Sequence, residues 1–164
     1  MNDLDLELYL KKYRGTVFAT AFFYLKNPSD AEDVVQDVFF SLFIYNGSFE
    51  NEEHLKAWLI RCAINRSKNL LSSAWHRHTV PLELADNALW YDMSENNDEV
   101  VQALKKISKK NNIVMYLYYY ENYSTKEIAD ILGISVTAVT SRLKRGRRQL
   151  NKIINNNGGV NNGI

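Results

Sequence analysis

The chain has 164 residues, with 20 Lys and Arg against 19 Asp and Glu and a single cysteine. This length suits one domain or two small ones, and one cysteine excludes an internal disulfide, as is usual in a reducing cytoplasm. No apolar run reaches the length of a membrane-spanning helix, and the acidic first residues are unlike a signal peptide. The sequence therefore predicts a cytoplasmic protein with no membrane insertion.

Charge is unevenly distributed along the chain. Residues 1–60 carry 5 cations and 10 anions, and residues 61–80 carry 4 cations and no anion. Residues 81–104 carry 6 anions and no cation, and residues 105–164 carry 11 cations and 3 anions. Segregation of this kind indicates different partners for different segments, and the two positive segments suit a nucleic acid.

Three helices are predicted over the first 75 residues. Apolar residues three or four apart predict the first one, at Leu6, Leu10, Tyr13, Val17, Ala21 and Tyr24. Ser29 and Glu32 form a capping-box pattern that opens the second. Its predicted buried side is Ala31, Val34, Val35, Val38, Leu42 and Phe43. A polar loop follows over residues 45–53, and the third helix, over 53–75, is predicted to bury Leu55, Trp58, Leu59, Cys62 and Leu70.

An acidic stretch separates these helices from a second helical group. Residues 98–108 and 113–120 are predicted to be helical, and residues 124–150 to form two helices joined by a turn. The predicted fold is all-α: two small helical domains joined by an acidic linker, the C-terminal one a helix-turn-helix. The predicted bounds are 1–76 for the first domain, 77–97 for the linker, 98–155 for the second domain and 156–164 for a disordered tail.

The helix-turn-helix carries local markers at its boundaries. Ser124 with Glu127 is a capping box. Gly133 suits the left-handed turn, and Ser135 suits the N-cap of the second helix. Six Lys and Arg and no acid occur from Ser135 to Lys152. One side of this helix is apolar and is predicted to be buried, at Val136, Val139, Leu143 and Leu150. A buried stripe opposite short polar donors and cations is typical of a helix in a DNA major groove. The residues favour DNA binding over the alternative, an ordinary amphipathic pair with a solvated basic face.

No catalytic constellation is found in the sequence. It has no glycine loop for phosphates and no Cys/His set at metal-ligand spacing, and His76 and His78 lack partner ligands. Asp33 and Asp37 lie one turn apart on an acidic side, without the apolar pocket that an acid–base pair needs. The sequence predicts no enzyme activity, no metal and no cofactor.

Three motifs, in this order, relate the chain to a known family. They are DAEDVVQDVF at 30–39, LKAWLIRCAINRSKN at 55–69 and STKEIADILGISVTAVTSRLKRGRRQL at 124–150. The chain resembles the extracytoplasmic-function sigma factors, with sigma region 2 followed by sigma region 4. The resemblance implies a subunit that binds core RNA polymerase and directs promoter recognition and transcription initiation. It further implies that promoter DNA is bound as −35 duplex and −10 single strand, and that an anti-sigma factor is a partner.

Each motif carries candidate binding residues. The outward side of the second helix is the candidate core polymerase-binding face, at Asp33, Gln36, Asp37 and Phe40. The third helix has cations and an amide along one side, and the resemblance implies −10 DNA binding by Phe49, Lys56, Arg61, Asn65, Lys68 and Asn69. The −35 DNA-binding candidates are Ser135, Thr137, Ala138, Thr140, Ser141, Arg142, Lys144, Arg145 and Arg148.

Several positions depart from the family pattern. Leu55 replaces the usual Phe and Asn69 the usual Asp, and Ser72 and Ser73 stand where arginines are common. Asn69 and Ser72 therefore leave open a sigma-like regulator without promoter melting. The helix-turn-helix itself leaves open a second alternative, a free-standing transcriptional regulator. Gly146 replaces an alanine, and since a glycine inside a helix costs about 0.5–1 kcal/mol, the last helix is expected to fray or bend beyond it.

Overall fold

Six α-helices and no strand occur in the residues that the computed structural model describes, which are 3–75, 103 and 106–158. They are α1 (Asp3–Leu25), α2 (Pro28–Ile44), α3 (Glu52–Trp75), α4 (Lys109–Tyr119), α5 (Thr125–Leu132) and α6 (Val136–Gly158). The all-α prediction is confirmed. The predicted linker at 77–97 lies outside the described residues, as do His76, His78 and most of the helix predicted at 98–108.

The chain divides into two compact units, the first containing α1–α3 and the second α4–α6. In the first unit each helix packs against the other two. Its fully buried residues include Val17, Val34, Leu42, Leu59 and Ile60. These recur at helical spacing on one side of each helix, because burying that side is the main source of stability for a small helical unit.

One prediction for the α2 core, the burial of Phe43, was wrong. Phe43 is 48% exposed, whereas Phe39, which was not predicted to be buried, is only 4% exposed. Phe39 lies four residues after the buried Val35, one turn along the same side of the helix. Phe43 lies further round the helix, on the edge of its outward side.

The start of α2 also differs from the predicted capping box. Asn27 is the N-cap, since its side-chain oxygen accepts a hydrogen bond from the Asp30 amide at 3.2 Å, and Pro28 occupies the first helical turn. Glu32 instead receives both of its hydrogen bonds from the Arg14 guanidinium of α1, at 2.6 and 2.8 Å. The Ser29–Glu32 box was therefore wrong, and Glu32 links two helices rather than capping one.

The boundaries of the helix-turn-helix are as predicted. The Ser124 hydroxyl accepts from the Glu127 amide, and the Glu127 carboxylate accepts from the Ser124 amide, so the capping box is complete. Gly133 has φ +66° and ends α5 in the left-handed conformation. Ser135 accepts from the Ala138 amide at 3.1 Å and caps α6. These contacts fix how the chain enters α6.

Helix α6 continues through Gly146 to Gly158, so the expected fraying is wrong, and the helix extends into the segment predicted as a tail. Gly146 is buried against α4, where an added Cβ would meet the Sδ of Met115 and lie 2.9 Å from its Cγ. A second contact joins the same helices: the side-chain amide Nδ2 of Asn111 donates a hydrogen bond to the side-chain Oε1 of Gln149 at 3.0 Å. The glycine therefore allows a close approach of two helices.

We expect Gly146→Ala to destabilise the second unit by about 1 kcal/mol. Alanine improves helix propensity, but moving the buried Met115 side chain costs about 1–3 kcal/mol, which exceeds that gain. Amide hydrogen exchange within α6 measures the change. Gly15→Ala in α1 is the matched control, since no atom lies within 4 Å of its added Cβ, and it should stabilise α1. Slower exchange in Gly146→Ala would contradict the close-packing explanation.

Candidate nucleic-acid and partner interfaces

The outward side of α2 brings together the four residues predicted to bind core polymerase. Asp33, Gln36, Asp37 and Phe40 are all exposed, opposite the buried Val34 and Val38. Phe40 is 63% exposed, which is unusual for a phenylalanine. Within the described residues no cation pairs with Asp33 or Asp37. The face therefore presents uncompensated carboxylates beside an uncovered ring.

This face continues to the end of α2 through residues that the sequence analysis missed. Ile44 is 56% exposed and lies one turn beyond Phe40, and the exposed Phe43 lies beside them. The face thus changes from acidic at its N-terminal half to apolar at its C-terminal half. Ile44 follows Phe40 by four residues in the sequence, and this spacing could have revealed that the face continues to Ile44.

The outward side of α3 brings together four of the −10 candidates. Arg61, Asn65, Lys68 and Asn69 are exposed and follow one another at spacings of one to four residues. Lys56 is half-buried and precedes Asn65 by nine residues, about two and a half turns, so it lies on the other side of the helix. The structure therefore separates Lys56 from this face.

The loop between α2 and α3 carries an aromatic cluster, made of Tyr45, Phe49, His54 and Trp58. The ring of Phe49 lies 5.0 Å from that of Tyr45, 5.6 Å from that of Trp58 and 5.6 Å from that of His54, between ring centroids. Tyr45 and Trp58 are 5.1 Å apart. Gly47 lies so close to the Tyr45 ring that a Cβ would collide with it. Together these rings form a partly exposed aromatic surface next to the face of Arg61 and Asn65.

Trp58 was predicted to lie inward, but it is only half-buried and packs on the loop instead. Cys62 and Leu70 are also half-buried, whereas Leu55 and Leu59 are buried as predicted. Tyr45 was not singled out at all. The loop's aromatic residues could have suggested the cluster, but only the folded chain shows that they meet Trp58.

The start of α3 is tied to α1 through Glu52. Its carboxylate accepts hydrogen bonds from the Lys12 ammonium and from the Tyr13 hydroxyl, the latter at 2.7 Å. These bonds to Lys12 and Tyr13 lower the pKa of Glu52 below its ordinary value of 4.5. Because Glu52 directly follows the loop, these contacts also fix the position at which the loop joins α3.

We expect Glu52→Gln to lower the melting temperature of the first unit near neutral pH and to have little effect in acid. A carboxyl whose pKa is lowered by folding stabilises the fold above pH 4.5, and this contribution is lost as the pH falls through the folded-state value. Melting curves of both proteins over this pH range give the difference. Glu53→Gln, at the adjacent exposed acid, is the control. A difference that persisted well below pH 4.5 would contradict an ionic role for Glu52.

The −35 candidates on α6 differ in how exposed they are and in which side of the helix they occupy. Thr137, Lys144 and Arg148 are exposed and share one side with the half-buried Ser141. Thr140 and Arg145 are exposed at its two edges. The other candidates are placed differently: Ala138 and Arg142 are half-buried near the packed side, and the Ser135 hydroxyl is engaged as the cap. Opposite this face Val139 and Leu143 are buried, as predicted. The prediction was wrong for Val136, which is exposed, and Leu150 is only half-buried.

Two properties of the described residues complete the description of the surface. No group of three His, Cys, Asp or Glu side chains that could hold a metal ion occurs among them. None of their helices is both long and apolar enough to cross a bilayer.

Comparison with known protein families places both halves of the chain. Residues 9–77 match the family Sigma-70 region 2, and residues 97–150 match Sigma-70, region 4. The chain is 26% identical over 156 residues to the ECF RNA polymerase sigma factor SigW of Bacillus subtilis (strain 168), covering 85% of this chain and 83% of that protein. The chain belongs to the extracytoplasmic-function sigma factors. The predicted family is confirmed, as is the function of an RNA polymerase sigma factor that directs promoter recognition.

Other relatives also match most of the length of this sigma factor. It is 28% identical over 143 residues to the ECF RNA polymerase sigma factor SigM of Mycobacterium tuberculosis (strain ATCC 25618 / H37Rv), covering 85% of this chain and 70% of that one. Among solved structures it is similar to the sigma factor RpoE of Bartonella quintana in complex with the anti-sigma factor NepR. That match has a TM-score of 0.68 and 20% identity, over 92% of this chain and 96% of the other.

A second solved structure, CnrH in complex with the cytosolic domain of CnrY, matches with a TM-score of 0.63 and 25% identity, over 94% of this chain and 90% of the other. The candidate faces of this sigma factor lie inside the family matches. The α2 face, the loop and the α3 face fall within region 2, and the α6 face falls within region 4. The roles of individual residues on these faces stay predictions.

Proposed function

We propose that this sigma factor is a non-catalytic, cytoplasmic subunit, without cofactor, that docks on core RNA polymerase through the α2 face. The observation that carries this proposal is the exposed combination of Asp33, Asp37 and Phe40, for which the described residues provide no covering contact. Burying one exposed phenylalanine side chain contributes about 1.5–3 kcal/mol, and such anchors dominate protein interfaces. A partner helix with cations opposite the acids and apolar side chains opposite Phe40 and Ile44 fits this face.

The −35 element is proposed to be bound by α6 in the major groove. Short polar side chains such as Thr137 and Ser141 can approach base edges, while Lys144 and Arg148 reach guanine edges or phosphates. Helix α6 has no acid, so no carboxylate of its own competes with the DNA. The cap at Ser135 and the turn at Gly133 set the angle at which the helix enters the groove.

The −10 element is proposed to be captured as single strand by α3 and the loop. Arg61 and Lys68 suit phosphate contacts, and the Asn65 amide can hydrogen-bond a base edge. The ring of Phe49, supported by Tyr45 and Trp58, provides a surface on which an unpaired base stacks. Asn69 is exposed on the same face, so the departure from the family pattern does not remove a polar group there.

Affinity for the promoter is proposed to come from linking weak contacts. Neither DNA face alone is large, but two faces held on one polymerase act at high effective concentration. We propose domain bounds of 1–76 and 98–155 with a linker at 77–97, so that each domain carries one of the two DNA-binding faces. Two of the solved relatives are bound to an anti-sigma factor or a cytosolic partner domain. We propose that an anti-sigma factor likewise covers these faces in this protein.

Co-elution of the purified chain with core polymerase tests the docking proposal. A stable complex with one chain per polymerase is the expected result. A chain that elutes apart from polymerase, and binds duplex DNA as a dimer, would instead support a free-standing regulator. A complex that binds promoter duplex without making its −10 thymines reactive to permanganate would support the regulator that lacks melting.

A further inference from the structure

Arg147 of α6 is held against α4 by an unusual set of contacts. Its Nε donates a hydrogen bond to the Tyr119 hydroxyl oxygen at 2.6 Å. Its guanidinium carbon lies 5.7 Å from the ring centroid of Tyr119 and 5.9 Å from that of Tyr118. Both Arg147 and Tyr119 remain exposed, Tyr119 at 49%. The cation is therefore fixed in position without being withdrawn from water.

These contacts leave donors available on the solvent side. Because the bond to Tyr119 uses only Nε, the two terminal nitrogens of the guanidinium keep their N–H groups. The Tyr119 oxygen accepts in this bond, so its own O–H can donate to another acceptor. No described carboxylate lies within ion-pair distance of Arg147. Several donors and one uncompensated positive charge thus face outward together, which suits an anion with several oxygens.

The location of this pair relates it to the −35 face. Arg147 follows Thr140 by seven residues, so the two lie along the same edge of that face, beside Lys144. Tyr119 stands beside that edge on α4. In helix-turn-helix proteins the edges of the recognition helix run along the sugar-phosphate backbone while its centre meets the bases.

We propose that Tyr119 and Arg147 form a binding site for one DNA backbone phosphate, which fixes α6 in the major groove. The Arg147 fork contacts two phosphate oxygens, and the Tyr119 hydroxyl supports it from α4. Holding the guanidinium on two rings reduces the conformational entropy lost on binding. The proposal rests on duplex binding by the second unit, and it assigns a role to a cation outside the predicted set. Since phosphates are common to all sequences, the site strengthens binding without reading bases.

The test is binding of the full chain to mixed-sequence duplex DNA between 50 and 200 mM salt, by fluorescence anisotropy. Arg147→Ala should bind roughly 10-fold more weakly at the low end and reduce the slope of log affinity against log salt by about 0.9. Tyr119→Phe keeps the ring and every charge, so it should weaken binding less and leave the slope unchanged. Lys11→Ala, which removes one exposed cation from α1, is the matched control and should change neither quantity.

Melting curves separate this role from a purely structural one. If Arg147 only joins α4 to α6, Arg147→Ala will lower the melting temperature and leave the salt slope at its wild-type value, which overturns the site. Arg147→Lys guards against misfolding, since it keeps the charge and should retain the slope with weaker binding. A wild-type chain that binds no duplex even at low salt would overturn both this site and the duplex-binding part of the proposed function. Wild-type binding with an unchanged Arg147→Ala slope overturns the site alone.

Discussion

Asp33→Lys/Asp37→Lys is expected to weaken binding to core RNA polymerase by about 100-fold or more. Both carboxylates are exposed on the α2 face and have no described cation partner, so they are free to meet cations of the polymerase. Close charge pairs at interfaces couple by about 1.5–7 kcal/mol, and reversal adds repulsion to the loss. Competition binding against the wild-type chain, with labelled core polymerase, measures the ratio of the two affinities.

The control for this variant carries the same change in net charge elsewhere. Glu7→Lys/Asp130→Lys reverses one exposed acid on α1 and one on α5, and should bind polymerase within a few-fold of wild type. Equal losses in the two double variants would show that only overall charge matters. Full binding by Asp33→Lys/Asp37→Lys, with a normal melting curve, would mean that polymerase docks on another surface.

Phe49→Ala is expected to reduce promoter opening roughly 5- to 150-fold while leaving polymerase binding unchanged. Stacking of one base on an aromatic side chain is worth about 1–3 kcal/mol, and Phe49 is the ring that contacts the other three members of the cluster. Phe49 is not one of the α2 residues proposed to contact polymerase, so docking should persist. Permanganate reactivity of the −10 strand, in complexes formed at saturating polymerase, measures opening.

Two further variants make this result interpretable. Tyr45→Ala removes a supporting ring and should reduce opening by a smaller factor than Phe49→Ala. Tyr120→Ala removes an exposed ring of the second unit and should leave opening unchanged. Normal opening by Phe49→Ala would show that the loop's aromatic surface does not hold a base. Loss of polymerase binding by the same variant would show that the loop is part of the docking surface.

The local structure of the helix-turn-helix could be predicted from the sequence because each cap and turn is formed by residues close together in the chain. The capping box at Ser124, the left-handed turn at Gly133 and the cap at Ser135 depend on contacts no more than four residues apart. Helical spacing likewise predicted most of the α2 core, since periodicity marks the buried side, but in α3 only Leu55 and Leu59 of the five predicted residues are buried. The outward positions of Asp33, Asp37 and Arg61 follow from the same periodicity.

Other features depend on contacts between distant residues. Glu32 was available both for a capping box and for Arg14, and only folding decides between them. The cap at Asn27 is local, with Pro28 in the first helical turn as proline favours, and the sequence analysis missed it. The burial of Gly146 on Met115 and the meeting of Trp58 with Phe49 join separate segments, and no spacing rule reveals them. The departures at Leu55 and Asn69 likewise leave the strength of promoter melting to experiment.

Transcription by core polymerase on fragments of the source genome, with and without the purified chain, tests the central claim most directly. The account predicts new start sites that depend on the chain and share sequence elements at both −35 and −10, with transcription lost in Asp33→Lys/Asp37→Lys. No chain-dependent start site, from a chain that nonetheless forms a stable complex with the polymerase, would contradict it.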